Sequence, residues 1–294
     1  MHCIANNLGS TVTIYRPYLS IPILAIEFDR RYNLWDNTTD GLIGAPVPFC
    51  MINLVALSTN SSSCLILFSE EHIVGIAFDL DGTLVDSTPD LLAAINAILL
   101  EYNLSPSDAR ENLSYAGGGL ASMFARTIEA RVPTWTSEKK DQMTAQMLEF
   151  YRTDPSSLTT PFPGMVSLLE AIQAKDIPMG VISNKLVELT QKVLRSNYPS
   201  ITFSKVYGID SGFAPKPDSG SLLDFKSTLG PDEELIYVGD TEIDYRTAKG
   251  VADRVFLGTW GYRGVEGLLE HGIDKALMVS DTAQLACALD ISIS

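Results

Sequence analysis

The segment "HIVGIAFDLDGTLVDS", residues 72–87, sets a short apolar run directly before three aspartates, Asp79, Asp81 and Asp86. The run has the continuous hydrophobic character of a strand buried on both faces, as in a parallel sheet. In extended backbone Asp79 and Asp81 lie two residues apart and share a face. Their like charges then repel unless a cation stands between them. Carboxylates crowded at the end of such a strand point to a site.

Similar runs recur downstream: "IPMGVIS" (177–183), "FSKVYGI" (203–209), "ELIYVG" (234–239), "RVFLG" (254–258) and "ALMVS" (276–280). Helix-length segments lie among them, at 165–175, 186–197, 219–229, 243–249 and 281–289. This alternation predicts an α/β fold built on a doubly wound parallel sheet. Ligands in such sheets bind at the carboxyl ends of strands. Asp79 and Asp81 sit at one such end, and so do Ser183-Asn184 and Gly239-Asp240.

One interval breaks the alternation. Between 86 and 162 the pattern is helical throughout, beginning with Ser87 as a cap, Pro89 and Asp90 in a first turn, and apolar Leu91, Leu92, Ile95, Ile98, Leu99 and Tyr102. "GLASMFARTIEARV" (119–132) and "SEKKDQMTAQMLEFYR" (137–152) continue it, with Met123, Met143 and Met147 as core filler. "TTPFPG" (159–164) reads as a re-entry linker. The expected organisation is a poorly specified extension over 1–71, a catalytic core over 72–85 and 163–294, and an inserted all-helical cap over 86–162. Such a cap would stand over the strand ends as a lid.

The net charge of −15 works against phosphate-backbone binding and against an anionic membrane surface. Neither nucleic acid nor a membrane is an expected partner. A small phosphorylated substrate remains compatible if positive charge is supplied locally. Cys3, Cys50, Cys64 and Cys287 form no CxxC pair and no zinc spacing with His2, His72 and His271, so a reducing cytoplasm is the default. A Cys50–Cys64 disulfide is the less favoured alternative. The start "MHCIANNLGS" lacks the form of a targeting peptide, and the apolar window 49–68 is broken by Asn53 and by the polar run from Ser58 to Ser63.

A hard cation such as Mg2+ suits the paired carboxylates, because it takes few protein oxygens and keeps water and substrate phosphate as its other ligands. One carboxylate beside it can attack phosphorus while the other exchanges protons with the leaving group and with water. "APKPD" supplies Lys216 between prolines, and "GDTEID" supplies Asp240 and Asp244 at a later strand end. Taken singly, Ser183 and Asn184 would read as helix caps, Lys216 as a solvated loop residue, and Asp86 and Asp90 as favourable charges at a helix start.

In order and at strand ends, "DLDGT" (79–83), "VISN" (181–184), "KP" (216–217) and "GDTEID" (239–244) resemble the four motifs of the haloacid dehalogenase-like superfamily, over roughly residues 73–292. The resemblance implies a Rossmann-like core. It also implies Asp79 as nucleophile, Asp81 as general acid/base with its backbone carbonyl touching Mg2+, and Lys216 binding both Asp79 and the phosphoryl group. Ser183 and the backbone around Asn184 would hold phosphoryl oxygens, Asp240 would ligate the metal, and Asp244 would support the metal site. In capped members a Gly-containing loop of the insertion can face the substrate, which makes Gly117, Gly118 and Gly119 candidates.

An aspartate at position 81 favours phosphoryl transfer over carbon–halogen hydrolysis, since a dehalogenase has no alkoxide to protonate. "YAGGGL" (115–120), "PFPGM" (161–165) and "GTWGYRG" (258–264) resemble stretches of the phosphoglycolate phosphatase family. The N-terminal extension has no counterpart there. The expectation is a Mg2+-dependent phosphatase acting on a small phosphate monoester, 2-phosphoglycolate first. A sugar-phosphate phosphatase or mutase is the alternative enzyme, and a catalytically silent scaffold the alternative of another class. Oligomeric state is not legible.

Overall fold

In a computed structural model of the chain, the described residues are 74–231, 233–293 and six short strands before them, and the chain divides into two units, Met1–Glu71 and His72–Ser294. The first unit contains β1 (His2–Ala5), β2 (Thr11–Tyr15), β3 (Ala25–Asp29), β4 (Leu34–Asp36), β5 (Val55–Leu57) and β6 (Leu65–Leu67). They form an antiparallel sheet in the order β4-β3-β2-β1-β6-β5. From the sequence this segment reads as poorly specified. The difference comes from strands of three to five residues, too short for a two-residue period to stand out, although "TVTIY" has the β-branched and aromatic composition of a strand. Cys50 and Cys64 lie outside the described residues, as does most of the 49–68 window, and no described helix is long and apolar enough to cross a membrane.

The second unit runs β7 (Val74–Phe78), β8 (Val85–Asp86), α1 (Thr88–Glu101), α2 (Ala109–Ser114), α3 (Leu120–Arg131), α4 (Ser137–Thr153), β9 (Thr160–Pro161), α5 (Met165–Gln173) and β10 (Met179–Ile182). It continues through α6 (Val187–Asn197), β11 (Lys205–Tyr207), α7 (Gly220–Lys226), β12 (Glu234–Gly239), α8 (Glu242–Ala248), β13 (Arg254–Gly258), α9 (Gly264–Glu270), β14 (Met278–Val279) and α10 (Thr282–Ala288). Six of these strands form one parallel sheet in the order β11-β10-β7-β12-β13-β14. This is the doubly wound α/β core expected from the alternation of apolar runs and helices. Between β13 and β14 the chain adds α9, whose two glycines hide it from a helical pattern.

Alternation along the strands sorts the helices between two faces. Ile76, Phe78, Val181, Ile236 and Val238 pack with Met165, Leu168 and Leu169 of α5, Val193 of α6 and Leu285 of α10. Their neighbours in sequence, Ala77, Ile182, Leu235 and Tyr237, pack with Leu222 and Phe225 of α7 and Ala248 of α8. Strand β7 sits between β10 and β12, aligning Phe78 with Val181 on one side and Val238 on the other. The residues that follow these three strands therefore emerge side by side at the sheet's carboxyl edge.

The helices α1 to α4 gather around their own apolar cluster. Leu91, Ile95, Ile98 and Leu99 meet Met123, Phe124 and Ile128 of α3 and Met143, Met147 and Tyr151 of α4, with Leu189 of α6 joining from the core. Entry and exit are adjacent because β8 and β9 pair antiparallel, two residues each, where the sequence shows no strand. Asp90 secures the return. Its buried carboxylate accepts hydrogen bonds from Ser157 Oγ at 3.0 Å, Leu158 N at 3.0 Å, Thr159 N at 2.7 Å and Thr159 Oγ1 at 2.6 Å. Asp90→Ala is expected to cost roughly 2 kcal/mol in a urea titration, the effect of stranding a buried backbone N–H. A loss below about 0.5 kcal/mol would mean that water replaces the carboxylate.

Candidate active site

Every motif residue lies at the carboxyl edge of the parallel sheet. Asp79 follows β7, with its N–H bonded to Val238 O at 2.9 Å. Ser183 and Asn184 follow β10, Asp240 follows β12, and Lys216 sits in the loop between β11 and α7. Asp244 stands in the first turn of α8, forming a reciprocal capping box with Thr241.

Asp79, Asp240 and Asp244 each bring a carboxylate oxygen within 4.8 Å of the others, and all three are buried. Lys216 Nζ lies 2.7 Å from Asp79 Oδ1 and 2.7 Å from Asp244 Oδ1. Asp244 is fully engaged: Oδ1 also accepts from Tyr237 OH at 3.0 Å, and Oδ2 from Thr241 Oγ1 at 2.7 Å and Thr241 N at 3.0 Å. Asp240 accepts from Thr83 Oγ1 at 3.1 Å and from the backbone N–H of Tyr262 at 2.7 Å, which leaves lone pairs on both oxygens.

The electrostatics follow from this crowding. Burial pushes the Asp79 carboxyl up to about 7 against the pull of Lys216. Burial likewise drives Asp240 well above the usual carboxylate range, and the neighbouring Asp244 and Asp79 push in the same direction. Asp244 goes the other way. Burial opposes its ionisation, but the Lys216 ammonium and the Thr241 hydrogen bonds outweigh it and hold the carboxyl below its ordinary value. Lys216, which burial would discharge, is kept cationic by Asp244 and Asp79.

Three buried carboxylates face one ammonium, and the donors that remain open are oxygens of Asp79 and Asp240. A hard divalent cation fits that set in charge and in chemistry. Close packing protects the place: a Cβ on Gly82, whose φ is +88°, would fall 2.3 Å from Asp240 Oδ2, and one on Gly261 would fall 2.3 Å from Asp240 Cβ.

Asp81 stands apart from this cluster. Its Oδ1 accepts from Lys185 Nζ at 2.6 Å and from Ser87 Oγ at 2.6 Å, and Ser87 Oγ is also 2.7 Å from Tyr262 OH. The cation that neutralises Asp81 is thus a lysine adjacent to the Ser183-Asn184 motif. Ser87 corrects an expectation: it occupies the N-cap position of α1, but its hydroxyl makes no capping bond and turns to Asp81 instead.

Asn184 acts as a tie. Its Nδ2 donates to Gly117 O at 3.0 Å and Lys216 O at 3.1 Å, and its Oδ1 accepts from Lys216 N at 2.8 Å. The glycines Gly117, Gly118 and Gly119 join α2 to α3 and reach the core at this point; a Cβ on Gly119 would lie 2.7 Å from Asn184 O. Arg263 makes a second tie, donating to Glu242 Oε2 at 2.7 Å and to the carbonyls of Leu113 and Ala116 at 2.9 and 2.8 Å.

Between core and insertion lies a cavity of about 290 Å³, lined by Asp79, Asp81, Ser183, Asn184, Lys216 and the three glycines, and by apolar residues of α1, α3, α4 and α6. Lys185, Tyr151 and Tyr262 also line it and were not legible as site residues. Only the position of Lys185 beside the "VISN" motif could have drawn attention to it.

The family model for haloacid dehalogenase-like hydrolases matches residues 76–256. A phosphoglycolate phosphatase of Cereibacter sphaeroides (strain ATCC 17029 / ATH 2.4.9) is 32% identical over 201 residues, covering 68% of this chain and 92% of its own. One from Chromobacterium violaceum is 33% identical over 222 residues, covering 73% and 96%. Among solved structures, one from Lactobacillus delbrueckii subsp. bulgaricus superposes with a TM-score of 0.67 at 24% identity, covering 74% of this chain and 98% of that one. A haloacid dehalogenase-like family hydrolase from Streptococcus pneumoniae gives 0.62 at 22% identity, covering 74% and 99%. With its motifs at one sheet edge and its family pattern matched across most of the second unit, the chain belongs to the haloacid dehalogenase-like hydrolases.

Proposed function

We propose that this hydrolase is a Mg2+-dependent phosphatase of small phosphate monoesters, 2-phosphoglycolate first among them, working through an aspartyl-phosphate on Asp79. The observation that carries the reading is the division of the two motif aspartates. Asp79 lies beside Lys216 and Asp240, while Asp81 is held by Lys185 and Ser87. Nucleophile and proton carrier therefore occupy separate electrostatic surroundings, as the two halves of the reaction require.

Asp79 attacks phosphorus and Asp81 passes a proton to the departing alkoxide. Asp81 then takes a proton from the water that opens the aspartyl-phosphate. Lys216 offsets the charge shared between Asp79 and the phosphoryl group, and Ser183 with the backbone near Asn184 holds phosphoryl oxygens. Mg2+ would be held by Asp79, Asp240 and the Asp81 carbonyl, with Asp244 supporting the site through Lys216 and Thr241, and it would supply positive charge to the transferring group. Helices α1 to α4, within a cap over 86–162, exclude water above a core of 72–85 and 163–294. The phosphoglycolate phosphatases at about one-third identity support the substrate, and the cysteine usage supports a cytoplasmic setting.

Phosphate release from a panel of monoesters, with Mg2+ and with excess EDTA, tests this. Turnover of 2-phosphoglycolate that stops with EDTA and returns with Mg2+ is the expected result. A folded protein that releases phosphate from no ester but interconverts sugar phosphates would overturn it in favour of a mutase.

A further inference from the structure

Lys185 is a buried charged group of the cavity whose only part in the proposed reaction is to hold Asp81. Its side chain is 5% exposed, and Nζ bonds to Asp81 Oδ1 at 2.6 Å and to Tyr151 OH at 2.9 Å. Burial would strip its proton, but Asp81 and Tyr151 outweigh burial and keep it cationic. An ammonium has three N–H donors. Two are spent, and the third has no partner among the described residues, while the group itself lines the cavity.

The other cations there are committed elsewhere. Lys216 is held between Asp79 and Asp244. Arg152 is half exposed and paired with Glu149 at 3.6 Å, where solvent screens it. Leu91, Leu120, Met123, Leu148 and Leu189 form apolar wall. A second anionic group on a bound ester would therefore find its counter-charge at Lys185.

Location narrows the substrate further. If Asp81 protonates the ester oxygen, that oxygen lies within hydrogen-bond reach of Asp81, and Lys185 is the next group along. A carboxylate on the carbon that bears the ester oxygen sits only about 3 Å from that oxygen by bond lengths alone. The donor on Lys185 Nζ left over after Asp81 and Tyr151 is within reach of such a carboxylate. We propose that Lys185 is a specificity residue that selects monoesters carrying a carboxylate on the ester carbon. This rests on the phosphatase reading above.

The test compares kcat/KM for 2-phosphoglycolate with that for 2-hydroxyethyl phosphate, which keeps the two-carbon frame but is neutral at the far end. Wild-type protein with Mg2+ is expected to favour the carboxylate by on the order of 100-fold, as for one charge-assisted hydrogen bond in a closed site. Lys185→Met should bring the ratio to within about threefold of unity, and Lys185→Arg should keep at least about tenfold. Both esters are measured on one preparation, so the folded fraction cancels. Lys185→Gln, which keeps a neutral donor to Asp81, gives the same reading should the methionine variant not fold.

A wild-type ratio near one overturns the proposal without any variant. So does an equal fall for both esters in the variants, which would make Lys185 a positioning residue for Asp81 alone. Wild-type protein that releases phosphate from neither ester, nor from any other, refutes the phosphatase reading itself and the proposal with it.

Discussion

Asp79→Asn is expected to lower phosphate release by at least about 10⁴-fold, the scale on which a covalent nucleophile is lost. The fold should survive. Asparagine keeps the volume and removes one of three carboxylates crowded around Lys216, so repulsion in the metal-free site falls. The melting temperature without metal should be unchanged or higher. Activity and thermal unfolding measured on the same sample check both halves. Residual turnover within about tenfold of wild type would place the covalent step on another residue.

Lys216→Met should act in the opposite sense on stability. Without the ammonium, Asp79, Asp240 and Asp244 face one another unneutralised in a buried site. Breaking a buried pair on one side costs roughly 3–5 kcal/mol. Part of that loss should return when Mg2+ is added, because a ligand that binds only the folded state stabilises it by mass action. The same variant should lose on the order of 10³-fold in turnover, as expected when a fixed charge at a transferring phosphoryl group is removed. Thermal unfolding with and without Mg2+ separates the two effects. If Mg2+ stabilises the variant no more than it stabilises wild type, the lysine and the metal do not share these carboxylates.

The fold was legible because its signal is repeated. Six apolar runs, each followed by turn or polar residues, leave little choice beyond a parallel sheet, and the motif residues are visible as the polar residues that end those runs. What escaped were residues whose work depends on neighbours far along the chain. Lys185 reads as an ordinary lysine until Tyr151 and Asp81 close around it from 34 and 104 residues away. Ser87 has a good local explanation as a helix cap, but its hydroxyl turns to Asp81 and to Tyr262 OH, 175 residues further on. The Tyr262 N–H that steadies Asp240 is a backbone group with no side-chain signature. The two-residue strands β8 and β9 are too short to carry any period, and the N-terminal strands are little longer.

The central place of β7 in the sheet also dictates a folding order. The strand that delivers Asp79 is the first of the parallel sheet to be made, yet its partner β12 follows about 160 residues later, after the whole helical insertion. Contacts within α1 to α4 are local and can form early, whereas the β7–β12 pairing must close a long loop before it gains anything. During synthesis Asp79 therefore waits without its β12 neighbours while helices α1 to α4 pack together. Asp79 and Asp240 meet only once β12 has been made, so a chain cut short before residue 240 holds Asp79 and helices α1 to α4 but lacks Asp240 and Asp244.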